Sequence, residues 1–566
     1  MKILSLWRRY PHACALALIL AATLGRYLFV ASGQLDLVQD EAQYWDWSRR
    51  LQLSYYSKGP LIAWIIKAGT AVFGDTELGV RIGAVIGSLA AQLLLYAGVG
   101  ILMQRPRLAL ITLFIVNTMP LFLASGILMT TDNPLLVCWL AALFCLHATV
   151  AKPDARWPWA GLALAMACGI LAKYTMLGMA GVAVLHALIL LHQGSLPAGH
   201  WKRLALWLGA GIFAGFLPIL VWNAQNDWAS FRHVGRLAGV APAVGEKPPL
   251  IRFDRLPEYV GGQLGLIFPW WLAFMLYGGG IAAWRCFSRP SPCPTPDAAR
   301  ERREAAQAAL FTAGFWPIFL FFLAWSLHTR IYANWSAMAY ASGVVLAACG
   351  VDRVLERYRT DVDLWGRAAS AHPSPASPQT VPHTSPHAVP HTIPWTRRLL
   401  PVWAWLSLVL CLTMYAQEPL SRLLPESCNP TMRLKGWEDL GRRVGELRDG
   451  LPAPDRVFVF SDQYDVTAQL AFYVPGKPMA FCADFGRRLG QYDFWPGPED
   501  RKGWDAVFVR RKPFREPPGA LRHMFLQLGA PEAYRSVHRG GPGREFGILV
   551  LRNFTGEWPR ESRGIY

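Results

Sequence analysis

Long apolar runs separated by short polar turns fill the first 417 residues of this chain, and the pattern changes after them. A run of about 20 apolar residues is long enough to cross a hydrocarbon core of roughly 30 Å. Such runs stand at Ala13–Ala31, Leu78–Met103 and Val137–Ala151. Eleven spans are predicted, at roughly 12–32, 78–102, 108–124, 133–150, 157–172, 174–192, 204–222, 262–284, 307–327, 335–351 and 399–417. Lipid leaves only helices and closed barrels able to satisfy the backbone. The short alternating strands of a barrel are absent. The expected fold class is an all-α polytopic membrane domain over 1–417, with about 11 transmembrane helices, followed by a small α/β domain over 418–566.

In that last region the helical period gives way to short β-branched and aromatic runs. Arg456–Ser461, PMAFC, WDAVFVRR and GILVLRNF read as strands. Tyr464–Tyr473 reads as a helix, with Asp462 near its start as a capping candidate. Residues 368–394, rich in Pro, Ser and His, read as a disordered cytoplasmic loop. His383, His387 and His391 recur there every four residues, but the prolines forbid the helix that would align them on a metal.

Basic residues orient the spans. Lys2, Arg8 and Arg9, then Arg105 and Arg107, Lys152 and Arg156, Lys202 and Arg203, Arg285 to Arg303, and Arg353 to Arg398 all fall on one side of an eleven-span count. The positive-inside rule makes that side cytoplasmic. The first span reads as uncleaved, since no small-residue cleavage site precedes Gln34. Three outer segments result: 33–77, whose Tyr44, Trp45, Trp47, Tyr55 and Tyr56 suit helices lying in the interface, then 223–261, then the C-terminal domain. The formal charge of +18, in a chain that is 53% hydrophobic, then reflects cytoplasmic loops and anionic lipid, with no nucleic acid partner. Among ten cysteines none forms a CxxC pair. Cys428 and Cys482 alone fall in the polar C-terminal region, and they are the disulfide candidates if it is extracytoplasmic.

The candidate chemistry crowds the outer ends of the spans. Asp40-Glu41 reads either as a pair of carboxylates suiting a helix N-terminus or as a general base facing a membrane cavity. Lys58, in SKGPL ahead of an apolar helix, reads as a snorkelling anchor or as a phosphate ligand beside helix N–H groups. Asp132, in MTTDNPLL, is good helix-start chemistry with Pro134 in the first turn and equally a functional carboxylate at a cavity mouth. Lys173 and Tyr174 occupy one outer turn, and Arg330 and Tyr332 another. Cations beside two acidic sites suit an anionic lipid head group. No Walker motif, dinucleotide glycine pattern, HExxH or nucleophile elbow is present, which argues against a nucleotide-driven pump and against a cytoplasmic nucleotide-sugar donor.

Asp40-Glu41 in a long first outer loop, Lys58-Gly59-Pro60 turning into the next helix, and Asp132 at the start of a later span together resemble the GT-C polyprenyl-phosphate-sugar transferases. The likeness is to glycosyltransferase family 39 and its relatives, the protein O-mannosyltransferases and the lipid A aminoarabinose transferases, and covers most of residues 1–350. It implies a GT-C-like fold and an inverting transfer of a single sugar from an undecaprenyl-phosphate-type donor. The acceptor would be a hydroxyl or phosphate at the outer face of the inner membrane, on a glycolipid such as lipid A, an envelope glycan or a protein. Asp40, Glu41 and Asp132 would be catalytic, and Lys58, Lys173 and Arg330 would hold the donor phosphate. Tyr44, Tyr55, Tyr332, Gln491, Tyr492 and Asp493 are candidates for sugar or acceptor contact. The stretch around Asp462, Arg488 and Trp495 resembles a bacterial subset of the family and reads equally as structural. No cofactor is implied with certainty. The aminoarabinose transferases carry Glu-Lys-Pro-Pro, with the Glu linked to a metal, where this chain has Ser57-Lys58-Gly59-Pro60. No metal ligand is therefore named, and a divalent metal stays open. Glu246-Lys247-Pro248-Pro249 is read as coincidence. The rival readings are a lipid-linked-sugar flippase, which would place functional charges nearer the midplane, and a protein O-glycosyltransferase or other glycan ligase. Oligomeric state is open.

Overall fold

A computed structural model describes residues 9–237, 251–288, 296–370, 394–416, 431–539 and 541–559. Residues 371–393, Glu246-Lys247-Pro248-Pro249 and Cys428 lie outside them.

Seven helices are long and apolar enough to cross a membrane: Pro11–Ala31, Glu77–Leu102, Asp132–Ala151, Tyr174–His192, His200–Gln225, Ala299–Trp325 and Ala333–Glu356. An eighth is added if Phe253–Ile267 and Pro269–Phe287, bent by 94°, count as one. The expected count of eleven is thus not established, for identifiable reasons. Pro120 opens a separate helix, Pro120–Ser125, so the span expected at 108–124 breaks after Pro106–Asn117. Pro269 breaks the one expected at 262–284, where Phe268 takes a φ of 68°. Trp157–Ala172 has 16 residues, a length of about 24 Å at 1.5 Å per residue. Arg398–Thr413 is likewise short. The chain is a multi-pass membrane protein.

Contacts sort the two ends of the bundle. Arg107 pairs with Asp352 at 3.4 Å, Arg203 donates to the Pro153 carbonyl at 2.7 Å, and Arg285 pairs with Glu304 at 3.2 Å. The basic loops therefore gather at one end. The acidic segment 33–60 and the C-terminal domain sit at the other.

The C-terminal domain is a six-stranded mixed sheet. Strands β1 (Val457–Ser461), β2 (Ala480–Cys482), β3 (Asp505–Arg511), β4 (Phe525–Leu528), β5 (Glu532–His538) and β6 (Gly541–Phe554) pair in the order β2-β1-β3-β6-β4, with β5 also on β6. β1 runs parallel to β2 and β3, and β6 is antiparallel to its three neighbours. Tyr464–Tyr473 is helical as expected. Asp462 does not cap it; its carboxylate pairs with Arg510 on β3 at 2.9 Å.

This domain is fused to the first outer segment. Trp45, Trp47, Tyr55 and Val80 share one buried core with Trp437, Val466, Phe472 and Ile548. The Tyr473 hydroxyl accepts from the Leu37 amide at 2.7 Å, Gln469 donates to the Leu37 carbonyl at 2.8 Å, and the Trp437 amide donates to Asp36 at 2.7 Å. Helix Gln39–Ser48 is therefore not interfacial, contrary to the expectation from its aromatics. Tyr44, Trp45, Trp47, Tyr55 and Tyr56 are all buried in protein, because the sheet domain covers the face that would otherwise meet lipid head groups.

Candidate active site

Adjacent carboxylates on helix Gln39–Ser48 point to different surroundings. Glu41 is fully buried. It pairs with Arg81 at 2.7 Å and accepts from the Met129 amide at 2.7 Å and the Val38 amide at 2.9 Å. Arg81 spends its other donors on the Leu35 and Asp36 carbonyls, both at 2.7 Å. This closed network ties the loop to helix Glu77–Leu95 and leaves Glu41 no oxygen for a substrate. The structure thus places Glu41 as an anchor, contrary to the catalytic expectation. Asp40, one residue earlier, is reachable by solvent. Protein surrounds it closely enough that burial raises its pKa, opposed first by Lys58 and then by Arg433.

Lys58 is held beside Asp40 by a tight turn. A Cβ on Gly59 would collide with the Leu171 carbonyl, so only glycine lets the turn pack on the end of helix Trp157–Ala172. The approach brings Lys58 near Lys173, which follows that helix. Burial, then Lys173, lowers the Lys58 pKa, while Asp40 and Asp132 raise it. Lys173 in turn donates to Asp132 at 2.6 Å, and Asn334 donates to the other Asp132 oxygen at 2.6 Å. Asp132 opens helix Asp132–Ala151 without capping it. Its neighbour Asn133 clamps that helix by donating to the Ala84 and Ser125 carbonyls at 3.0 and 2.7 Å.

The C-terminal domain closes the site from above. Burial and then the Asp40 charge push Tyr464 up to about 12, and Tyr332, Arg511 and Arg488 also act on it. His233 is pushed down to about 4 by burial, with Lys58 and Arg488 adding to the effect. The structure thus brings together Asp40, Lys58, Asp132 and Lys173, and adds Asn334, Tyr464, His233, Arg433 and Arg488. Only Arg488 among these additions attracts notice in the sequence. Asn334 lies inside HTRIYANWSA, where attention goes to the cation.

Other expected residues do different work. Arg330 is drawn to Glu258 at 2.6 Å, because that carboxylate sits on the neighbouring helix Leu256–Ile267. Tyr332 is exposed, with the Arg330 guanidinium 5.9 Å from its ring centre. Tyr44 is buried, and burial lifts its pKa well above the ordinary value. The Tyr55 hydroxyl donates to the Trp47 carbonyl at 3.1 Å and its ring stacks on Trp47. Gln491 is buried and accepts from the Tyr56 amide at 2.7 Å. Asp493 pairs with Arg487 at 2.7 Å and accepts from the Gly490 amide at 2.6 Å. Tyr55, Gln491 and Asp493 thus have their polar atoms taken up within the protein rather than offered to a sugar. Tyr492 is buried in the wall of a separate cavity. Cys482 is buried on β2.

Among the described residues no group of three or more His, Cys, Asp and Glu side chains could hold a metal. Ser57 replaces the glutamate of the resembled motif, and the carboxylates nearby are already matched by Lys58 and Lys173. The donor set among the described residues does not fit a divalent cation.

A family model described as dolichyl-phosphate-mannose-protein mannosyltransferase matches residues 57–222, a stretch that includes Lys58, Asp132 and Lys173. The chain is 29% identical over 340 residues to the lipid A galacturonosyltransferase RgtD of Rhizobium johnstonii, covering 59% of this chain and 64% of that one. It is 26% identical over 253 residues to the undecaprenyl phosphate-alpha-4-amino-4-deoxy-L-arabinose arabinosyl transferase 2 of Proteus mirabilis, covering 40% and 44%. These matches span less than two thirds of either relative. The crystal structure of ArnT from Cupriavidus metallidurans bound to undecaprenyl phosphate superposes with a TM-score of 0.57 at 14% identity, covering 94% of this chain and 97% of that one. The fold is that of ArnT, a GT-C fold, and the resemblance to family 39 is borne out.

Proposed function

We propose that this chain is an inverting membrane glycosyltransferase that moves one sugar from a polyprenyl-phosphate donor to a glycolipid of the lipid A class. Transfer takes place at the outer face of the inner membrane. The observation that carries the reading is the pairing of one solvent-reachable carboxylate, Asp40, with two lysines at one end of an apolar helix bundle. The names of the relatives support both the donor and the acceptor class. The basic loops gathered at the opposite end support a cytoplasmic N-terminus and an extracytoplasmic C-terminal domain.

The acceptor hydroxyl attacks the anomeric carbon as the glycosyl carbon–oxygen bond to phosphate breaks. Its proton passes to Asp40, whose raised pKa makes it a better base than an ordinary carboxylate. The polyprenyl phosphate leaves as an anion. Lys58 and Lys173 stabilise the charge that develops on it, and Asp132 and Asn334 hold Lys173 in place. Burial and Lys173 lower the Lys58 pKa, and a bound phosphate would oppose that shift as Asp40 and Asp132 already do. Holding both lipid substrates at one depth supplies proximity.

The test is sugar transfer in proteoliposomes, with an undecaprenyl-phosphate sugar and purified lipid A, read by mass spectrometry. Wild type adds one sugar mass and Asp40→Asn does not. No transfer by a folded wild-type protein across a panel of such donors would remove the proposal, and translocation of the donor without transfer would favour the flippase.

A further inference from the structure

A second recess lies at the far end of the acidic helix, between the first outer segment and the sheet domain. It is a cavity of about 170 Å³, walled by Arg50, Phe481, Asp484, Tyr492, Trp495 and Trp558 among others. Arg50 stands two residues past the end of helix Gln39–Ser48, whose eight steps from Asp40 to Ser48 rise about 12 Å at 1.5 Å per residue. The mechanism uses none of these residues.

The lining has a definite chemistry. Four aromatic rings supply flat apolar walls, and the Arg50 guanidinium lies 4.3 Å from the Trp495 ring centre. The buried Trp495 indole N–H has no hydrogen-bond partner among the described residues, and with less than 1 Å² of accessible surface it does not open onto the recess, so the ring contributes an apolar face. Asp484 is buried, with one oxygen taken by the Gly486 and Arg487 amides at 3.1 and 3.2 Å. Arg50 and two carboxylates line the aromatic walls, Asp484 and Asp493, the latter paired with Arg487, so neither a simple anion nor a simple cation is favoured. A ligand with an apolar face and hydroxyls that both donate and accept matches all three elements. The size decides further: the cavity falls below the ~300 Å³ lower end of drug-sized sites, so it admits one small ring and no lipid chain.

We propose that this cavity is a saccharide subsite that takes one neutral pyranose ring of the acceptor glycan, remote from the ring that is modified. The donor sugar has to lie at Asp40, in the first turn of the helix and about 12 Å of helix rise from its far end, so it is not the occupant. Seating a distant ring here would fix the acceptor's orientation by the membrane-independent half of the site. The acceptor assignment rests on the transferase reading; saccharide binding by the cavity does not.

The experiment is a titration of the full-length protein in nanodiscs with delipidated core oligosaccharide and, separately, with a panel of methyl hexopyranosides, followed by tryptophan fluorescence and calorimetry. Wild type is expected to bind saturably, and Trp558→Ala and Arg50→Gln to weaken binding tenfold or more. Binding only of the methyl hexosides would support the cavity as a saccharide site and overturn its assignment to an acceptor glycan. No saturable binding to wild type, or binding unchanged in both cavity variants with folding verified by thermal melts, would overturn the proposal. Loss of transfer activity in wild type would sink the transferase reading and leave this result standing, so the two failures are distinguishable.

Discussion

Two neighbouring carboxylates on one helix have opposite fates, and the difference is in what surrounds them. Glu41 is saturated by Arg81 and two amides; Asp40 is open to solvent, with Lys58 and Arg433 as its opposing charges. Asp40→Asn removes the proposed base with little change in shape, so transfer is expected to fall by about 10²–10⁴-fold with an unchanged melting temperature. The pH profile follows from the signs. Burial raises the Asp40 pKa, so the acid limb of the rate is expected above the ordinary carboxylate value of about 4. Arg433 opposes that rise, so Arg433→Gln should move the acid limb to higher pH. Burial lowers the Lys58 pKa, so donor affinity should fall on the alkaline side below the ordinary lysine value of about 10.4. A profile of kcat/KM against pH for wild type and Arg433→Gln checks both limbs.

At the scale of elements, the site depends on loops held to helices by a few contacts. Glu41→Ala leaves Arg81 buried and uncompensated, and breaking such a pair costs about 3–5 kcal/mol. Loss of folded protein is expected in a thermal melt, in contrast with Asp40→Asn. The turn at Gly59 is equally demanding. Gly59→Ala drives a methyl into the Leu171 carbonyl, so Lys58 should be pushed off Lys173, and KM for the donor should rise more than KM for the acceptor. Of these devices, the Asp40-Glu41 pair and the Lys-Gly-Pro turn were visible as motifs. Which carboxylate was free was not, because Arg81 lies forty residues away and a partner at that distance leaves no local pattern.

Over the whole molecule, the C-terminal domain is part of the first outer segment's core. Trp45 packs edge-on to Phe472 with ring centres 4.9 Å apart, and Tyr473 bridges Leu37 and Glu77 at 2.7 and 3.0 Å. A chain ending at residue 416 would leave Trp45, Trp47 and Tyr55 uncovered. Limited proteolysis is expected to cut such a truncated chain within 33–60, where the intact protein resists, and transfer is expected to be lost with it. Survival of activity in the truncated chain would show that the sheet domain is an accessory.

Apolar runs, the side on which arginines and lysines fall, and β-branched stretches near the end of the chain are local properties. They were enough for a multi-pass helical protein with a terminal sheet domain, for four of the six strands, and for Asp40, Lys58, Asp132 and Lys173. Proline breaks at Pro120 and Pro269 were also written in the chain, though their effect on span length depends on how the neighbouring helices pack. Tertiary structure alone decided that Arg330 belongs to Glu258, that Asn334 and Lys173 share Asp132, and that the aromatics of the first outer segment are core. Each of these is a choice among partners distant in sequence, and such choices depend on distances that exist only after the chain has folded.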